Sequence, residues 1–260
     1  MEPSSEIQKG IPVSGVYLLH DLLDRQCQVS PDATALIHRT QQYSYASIAA
    51  EQDVVARGLS ALGIRDGYRV GIFLGKCVEF VVTAFATSKA GGCFVPINPV
   101  LKPAQVVHIL NDCSVQVLVT SPERLIQLTD VLGSCLSVTH VVVVGGAAAA
   151  VPADITRVEW GNLFCEAGPL HNRRRTDGDM AAILYTSGST GLSKGVVVSH
   201  RNLVAGATSV ASYLENRPQD RLLAALPLSF DAGFSQITTA FTVGAAVVLL
   251  EYLTPYEVVR

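Results

Sequence analysis

Charge is scarce in this chain. Only 16% of its 260 residues are Asp, Glu, Lys or Arg, and the two signs nearly cancel, leaving a formal net charge of −3. A phosphate-backbone-binding surface needs a basic stripe or face, so no nucleic-acid partner is expected. The one basic cluster, Arg173-Arg174-Arg175, reads as a solvated linker. Paired cysteines are also missing. The six cysteines stand apart without a C-x-x-C spacing, and several, such as Cys77 and Cys93, lie in apolar company. That excludes a disulfide framework and a zinc site and fits small buried hydrophobes in a reducing compartment. The six histidines are equally dispersed, and no metal ligand is assigned. No apolar run is long enough to span a bilayer. The first residues, Met1-Glu2-Pro3-Ser4-Ser5-Glu6, lack the basic and apolar segments of a secretory signal. The expectation is a cytoplasmic protein with no membrane partner.

What is abundant is hydrophobic residue, 49% of the chain, enough for a large core in one or two domains. It is distributed in alternating short β-rich runs and helical periods. Leu18, Leu19, Leu22 and Leu23 recur at helical spacing until Pro31-Asp32, and residues 33–37 read as a strand. Ala49, Val54, Ala56, Leu59 and Leu62 predict a helix ending at Gly63. Strands follow at 67–74, 93–97, 115–120 and 138–144, separated by helices at 79–89, 104–111 and 125–132. This alternation implies a mostly parallel sheet with right-handed crossovers. From 145 to 178 the regularity lapses, as in a surface excursion. Leu203, Val204, Ala207, Val210, Ala211 and Leu214 then make an amphipathic helix with Ser199 as N-cap. A strand at 221–226, a helix at 236–243 and a strand at 245–250 complete the pattern. The expected class is α/β, with mostly parallel sheet layers flanked by helices. Its expected divisions are a loose leader (1–14), an opening helix–strand–helix segment (15–65), an α/β subdomain (66–205) and the start of a second one (206–260).

The stretch from Leu184 to Gly195 lies between two strand-like runs, 181–184 and 196–198. Gly188, Gly191 and Gly195 are set among Thr186, Ser187, Ser189 and Thr190, with Lys194 near the end. Glycines let successive N–H groups point into one concavity, hydroxyls add donors and a lysine adds mobile charge, which together suit a polyphosphate. A Walker A loop does not fit: Ser193 stands where its second glycine belongs, and Gly195 follows Lys194 where Ser or Thr is needed. The dinucleotide fingerprint G-x-G-x-x-G is absent, and a strand rather than a helix follows.

The string from Tyr185 to Val196 closely resembles the phosphate-loop signature of the adenylate-forming superfamily: acyl-CoA synthetases, peptide-synthetase adenylation domains and luciferases. It departs at Ser193, where the family usually has Pro; without Pro the turn is less stiff. The opening helix, Ser30-Pro31-Asp32-Ala33 and Tyr43-Ser44-Tyr45 also resemble the start of acyl-CoA ligases. The segment Leu226 to Gln236 occupies the place of the superfamily's acyl- or aminoacyl-pocket loop.

The resemblance implies activation of a carboxylic acid by MgATP as an acyl-adenylate, then transfer to the thiol of coenzyme A or of a carrier-protein phosphopantetheine. It assigns the ATP phosphates to Thr186, Ser187, Gly188, Ser189, Thr190, Gly191 and Lys194, with Thr186 and Lys194 as the catalytic candidates. It gives the substrate pocket Phe230 as a wall, Asp231, Gly233 and His200. Each has a plainer alternative: a surface lysine for Lys194, a capping or packing residue for His200, and pairing with a helix-start N–H for Asp231. Asp231 falls where amino-acid-activating domains place the partner of the α-amino group, while Gly233 and Phe234 lend the segment an acyl-CoA ligase character. The resemblance also implies an aromatic-Gly-x-Thr-Glu segment, a ribose-binding Asp and a carboxyl-terminal domain with a catalytic lysine. None occurs before Arg260. The chain is therefore expected to be an amino-terminal fragment of an acid–thiol ligase, inactive alone. The alternatives are an amino-acid-activating domain and a non-catalytic module that self-associates through exposed sheet edges.

Overall fold

The β-branched runs become strands and the amphipathic periods become helices in the computed structural model, which describes residues 15–146, 150–165, 170, 175–186 and 193–251. The expected leader, most of the arginine cluster, and Ser187, Gly188, Ser189, Thr190 and Gly191 lie outside the described residues.

Seven strands form the main sheet: β3 (Arg69–Phe73), β4 (Cys93–Pro96), β5 (Val115–Thr120), β6 (His140–Val143), β7 (Thr156–Glu159), β8 (Met180–Thr186) and β9 (Lys194–Ser199). Their order is β7-β6-β5-β3-β4-β8-β9, parallel throughout except for β9, which runs antiparallel to β8. The expected mostly parallel α/β architecture is what forms. Helices α4 (Pro103–Asp112) and α5 (Pro122–Leu128) cover one face, over a core containing Phe73, Val95, Ile109 and Val141. The other face packs against α2 (Tyr45–Ala61) and α3 (Val78–Ala90), over the core that holds Phe94, Ala182 and Leu184. In α3, 11 of 13 residues are buried, so it has no solvent stripe and lies in the interior. Gly91, at φ +93°, ends it in the left-handed conformation that a residue with a Cβ disfavours.

A second sheet unites the two ends of the described chain. Its order is β10 (Arg221–Ala224), β11 (Ala246–Leu249), β1 (Thr34–His38), β2 (Gln41–Ser44), parallel except for β2. Leu36 pairs with Val247 and Ile37 with Val248. Aromatic rings connect the layers: Tyr45 on α2 to Phe241 at 5.3 Å, Phe241 to Phe85 on α3 at 5.3 Å, and Phe94 on β4 to Phe234 at 4.8 Å. The Tyr45 hydroxyl donates to the Ala245 carbonyl at 2.7 Å, so its burial leaves no unmet donor. No helix among the described residues is long and apolar enough to cross a membrane.

Three expectations differ from what forms. The stretch 145–178 contains strand β7 and a short 3-10 turn at Trp160–Phe164. Its Thr-Arg-Val-Glu sequence is polar because an edge strand is half exposed. Gln41–Ser44, to which the sequence pattern assigns no strand, is an edge strand. Helix α7 (Asp231–Val243) starts five residues earlier than its apolar period predicts, because its first turn is split, Asp231 facing a cavity while Phe234 packs in the core.

Candidate functional site

Strands β8 and β9 form an antiparallel hairpin whose tip is the glycine-rich loop. Alternation along β8 explains the apolar run before that loop. Ala182 and Leu184 face the core shared with α3, while Ile183 and Tyr185 face the core under α4, so both sides need apolar residues. The ladder runs from Met180 opposite Ser199 to Thr186 opposite Lys194. Thr186 and Lys194 therefore sit side by side at the mouth of the loop, both exposed. A hydroxyl and an ammonium at adjacent positions form a donor pair suited to phosphate oxygens.

The Leu184 face of the hairpin opens, at the border of the core, into a cavity of about 540 Å³. Leu184, Val196 and Val198 form one wall, and α6 (His200–Tyr213) supplies Leu203, Gly206 and Ala207 as another. Helix α6 is fixed at its start by a capping box, Ser199 Oγ accepting from the Asn202 N–H while the Asn202 carboxamide oxygen accepts from the Ser199 N–H. The third wall is the turn into α7, with Phe230, Asp231, Ser235 and Thr238. Phe230 is 43% exposed and Asp231 is also exposed. The sequence left open a buried Asp231 paired with a backbone N–H. Instead no side-chain bond caps the helix, and the carboxylate faces the cavity. Thr186, Phe230 and Asp231 are thus brought together around one apolar chamber.

His200 and Gly233 have other roles. His200 is 2% exposed, does not line the cavity, and its Nδ1 accepts a hydrogen bond from the Leu19 N–H at 3.1 Å. Burial, followed by the neighbouring His20 and Arg175 charges, lowers its pKa to about 4, so the ring is neutral, as an acceptor must be. This is the packing alternative, and it tethers α6 to the opening segment. Gly233 is buried at the start of α7, where a Cβ would lie 2.0 Å from the Pro227 carbonyl oxygen. It shapes the turn that presents Phe230 and Asp231 and does not itself line the chamber.

The sequence reading missed Ser229. Its hydroxyl is on the cavity wall, 4% exposed, with no hydrogen-bond partner among the described residues. A buried hydroxyl without a partner is costly, so this one suits a polar group entering the chamber. Its position inside the Leu226 to Gln236 segment was the available signal. Leu203 and Ala207 were legible only as the apolar face of a helix. Among the described residues Asp231 is the one carboxylate on the chamber, so the residues here fit phosphate and an apolar acid better than a self-contained metal cage. Elsewhere His20, Asp21 and Asp24 bring ligand-type atoms within 4.8 Å of one another. There the Lys89 ammonium already sits 2.8 Å from the Asp24 carboxylate.

The family model described as AMP-binding enzyme matches residues 23–258. Among curated proteins, tyrocidine synthase 3 of Brevibacillus parabrevis is 32% identical over 234 residues, 90% of this chain and 3% of that protein. Crotonobetaine/carnitine–CoA ligase of Salmonella paratyphi A is 31% identical over 252 residues, 92% of this chain and 47% of the ligase. The chain thus spans under half the length of these relatives. The crystal structure of the anthranilate CoA ligase AuaEII in complex with anthranoyl-AMP superposes with a TM-score of 0.82 at 28% identity, covering 90% of this chain and 45% of that one.

Proposed function

This chain belongs to the AMP-binding enzyme family of adenylate-forming proteins, and from that premise we propose that it serves an AMP-forming acid–thiol ligase of the acyl-CoA synthetase type. The observation that carries the reading is the chamber, with the Thr186–Lys194 pair at the loop mouth above it and Phe230 and Asp231 across it. The acid's carboxylate attacks the α-phosphorus of ATP, the bond to the bridging oxygen breaks, and pyrophosphate leaves. A thiol, of coenzyme A or a carrier-protein phosphopantetheine, then attacks the acyl carbonyl and AMP departs. Thr186 donates a hydrogen bond and Lys194 a charge-assisted one to the phosphates, and both interactions strengthen as charge gathers on the leaving group. The loop residues Ser187, Gly188, Ser189, Thr190 and Gly191 belong to the same phosphate grip in this proposal. Magnesium bound with the nucleotide would add charge neutralisation. Leu184, Val196, Leu203 and Phe230 hold the acid's apolar body and exclude water from the activated acyl group.

A second reading, amino-acid activation as in a peptide synthetase, is favoured by one observation: the exposed Asp231 carboxylate on the chamber wall, which suits a substrate ammonium. Pyrophosphate exchange into ATP, run on the whole enzyme with amino acids and their deaminated analogues, separates the two. The ligase reading expects exchange with the deaminated acids and little change in Asp231→Ala. Exchange confined to amino acids and lost in Asp231→Ala would replace it with the second reading. No exchange with a broad acid panel would remove both.

A further inference from the structure

The hairpin that carries the glycine-rich loop has little lateral backbone support. Strand β8 pairs with its neighbour β4 at a single position, Phe94 opposite Ala182. Beyond that point Ile183 to Thr186 have ladder bonds only to β9, and β9 is an edge strand. Two polar contacts from one helix take over. On α4, His108 Nε2–H donates to the Ser193 carbonyl at 3.0 Å, one residue before Lys194. One turn later on the same helix face, Asp112 Oδ2 accepts from the Tyr185 hydroxyl at 2.5 Å, one residue before Thr186. The His108 and Tyr185 rings meet edge-on with centroids 6.4 Å apart.

Gly195 completes the arrangement. It lies opposite Tyr185 in the ladder, and a Cβ there would approach the Tyr185 ring to 3.1 Å and Ile183 Cγ2 to 2.6 Å. The missing side chain is what lets the ring lie across β9 and reach α4. Burial first, and the bond to Asp112 next, push the Tyr185 phenol well above its ordinary pKa. It therefore remains a donor throughout the working pH range.

We propose that His108 and the Tyr185–Asp112 pair are positioning residues for phosphate binding: one face of α4 fastens both stems of the hairpin and sets where Thr186 and Lys194 present their donors. The proposal rests on the ligase reading for its ligand, but its geometry is independent of which acid is used. Tyr185 also lines the chamber, but its hydroxyl bond to Asp112 and the His108 bond to Ser193 are both made on α4, so losing either bond acts on the nucleotide.

The test compares His108→Leu, His108→Gln and Tyr185→Phe in the whole enzyme. Melting temperature, the KM values for ATP and for the acid in pyrophosphate exchange, and amide hydrogen exchange over 194–197 are measured for each. A lost hydrogen bond of ordinary strength predicts a rise of about three- to tenfold in the KM for ATP in His108→Leu and Tyr185→Phe. The KM for the acid stays unchanged, and faster amide exchange is confined to the hairpin. His108→Gln, which keeps an N–H donor, recovers most of the effect. Wild-type ATP kinetics in the variants, or equal losses for ATP and acid that follow a falling melting temperature, would overturn the proposal. If the whole enzyme with an unaltered hairpin showed no pyrophosphate exchange, the ligase reading would fall. Hydrogen exchange would still judge the clamp, and unchanged protection at 194–197 in Tyr185→Phe would sink it.

Discussion

Lys194 and His200 are both polar residues of the hairpin and its exit, yet burial gives them opposite roles. Lys194 is exposed at the loop mouth, so Lys194→Ala should change stability by no more than about half a kcal/mol. Losing one charge-assisted contact to a developing pyrophosphate should slow adenylation by roughly two to three decades. Single-turnover adenylate formation beside thermal melting checks this; a variant that melts and reacts normally removes Lys194 from the site. His200 and His20 are held neutral by burial, each with its pKa lowered to about 4 from 6.5. The unfolded chain therefore binds these protons first as pH falls. The stability both histidines contribute is complete above pH 6.5 and is lost progressively as pH drops toward 4. Each should steepen the dependence of unfolding free energy on pH by up to about 1.4 kcal/mol per unit within that window. Urea unfolding from pH 7 to 4 measures it, and His200→Gln should flatten the slope by one proton's worth. An unchanged slope would mean that His200 titrates normally.

Helix α7 shows how one backbone contact sets an element. It begins at Asp231 with the Phe230 and Gly233 N–H groups already bonded into the turn, Phe230 to the Pro227 carbonyl and Gly233 to the Phe230 carbonyl. With a Cβ placed 2.0 Å from the Pro227 oxygen, Gly233→Ala cannot be accommodated by a rotamer change, since the clash is with backbone. The first turn must move, at a cost of about 1–3 kcal/mol or more. Because that turn carries Phe230 and Asp231, the acid's KM should rise while ATP binding to the hairpin is kept. Denaturant midpoints and substrate titrations of the variant test both. Wild-type stability would show that the turn is looser than this contact demands.

At the scale of the molecule, the aromatic chain is the junction of the two sheets. Phe85 touches both Phe241 and Phe234, and it stands on a helix buried on nearly every side. Truncating it leaves a cavity with no solvent route, so Phe85→Ala should cost about 3–5 kcal/mol. Phe241→Ala should be of similar size, and the double variant should cost less than the sum, because the two rings share one contact. Equilibrium unfolding of the cycle gives the coupling. Strict additivity would mean that the layers are held together elsewhere, for example by the Lys76 ammonium, which donates to the Ala225 and Leu250 carbonyls beyond β10 and β11.

What could be read from residues alone was local. The β-branched run of β6, the period of α6 with its Ser199 cap and the glycine-rich stretch between two strands each follow from chemistry within a few positions, so their types and order were legible. Chain-wide resemblance to the adenylate-forming family was legible for the same reason, because its motifs are contiguous strings. Four matters depended on contacts across long separations. The pairing of β1 with β11, the burial of His200 against Leu19, the exposure of Asp231 into the chamber and the grip of α4 on the hairpin stems join residues that local propensity cannot relate. A polar edge strand such as β7 is hidden from sequence because half of it faces water. The role of a histidine is hidden because it depends on whether the fold surrounds the ring with water or with apolar side chains, and only the tertiary structure decides that.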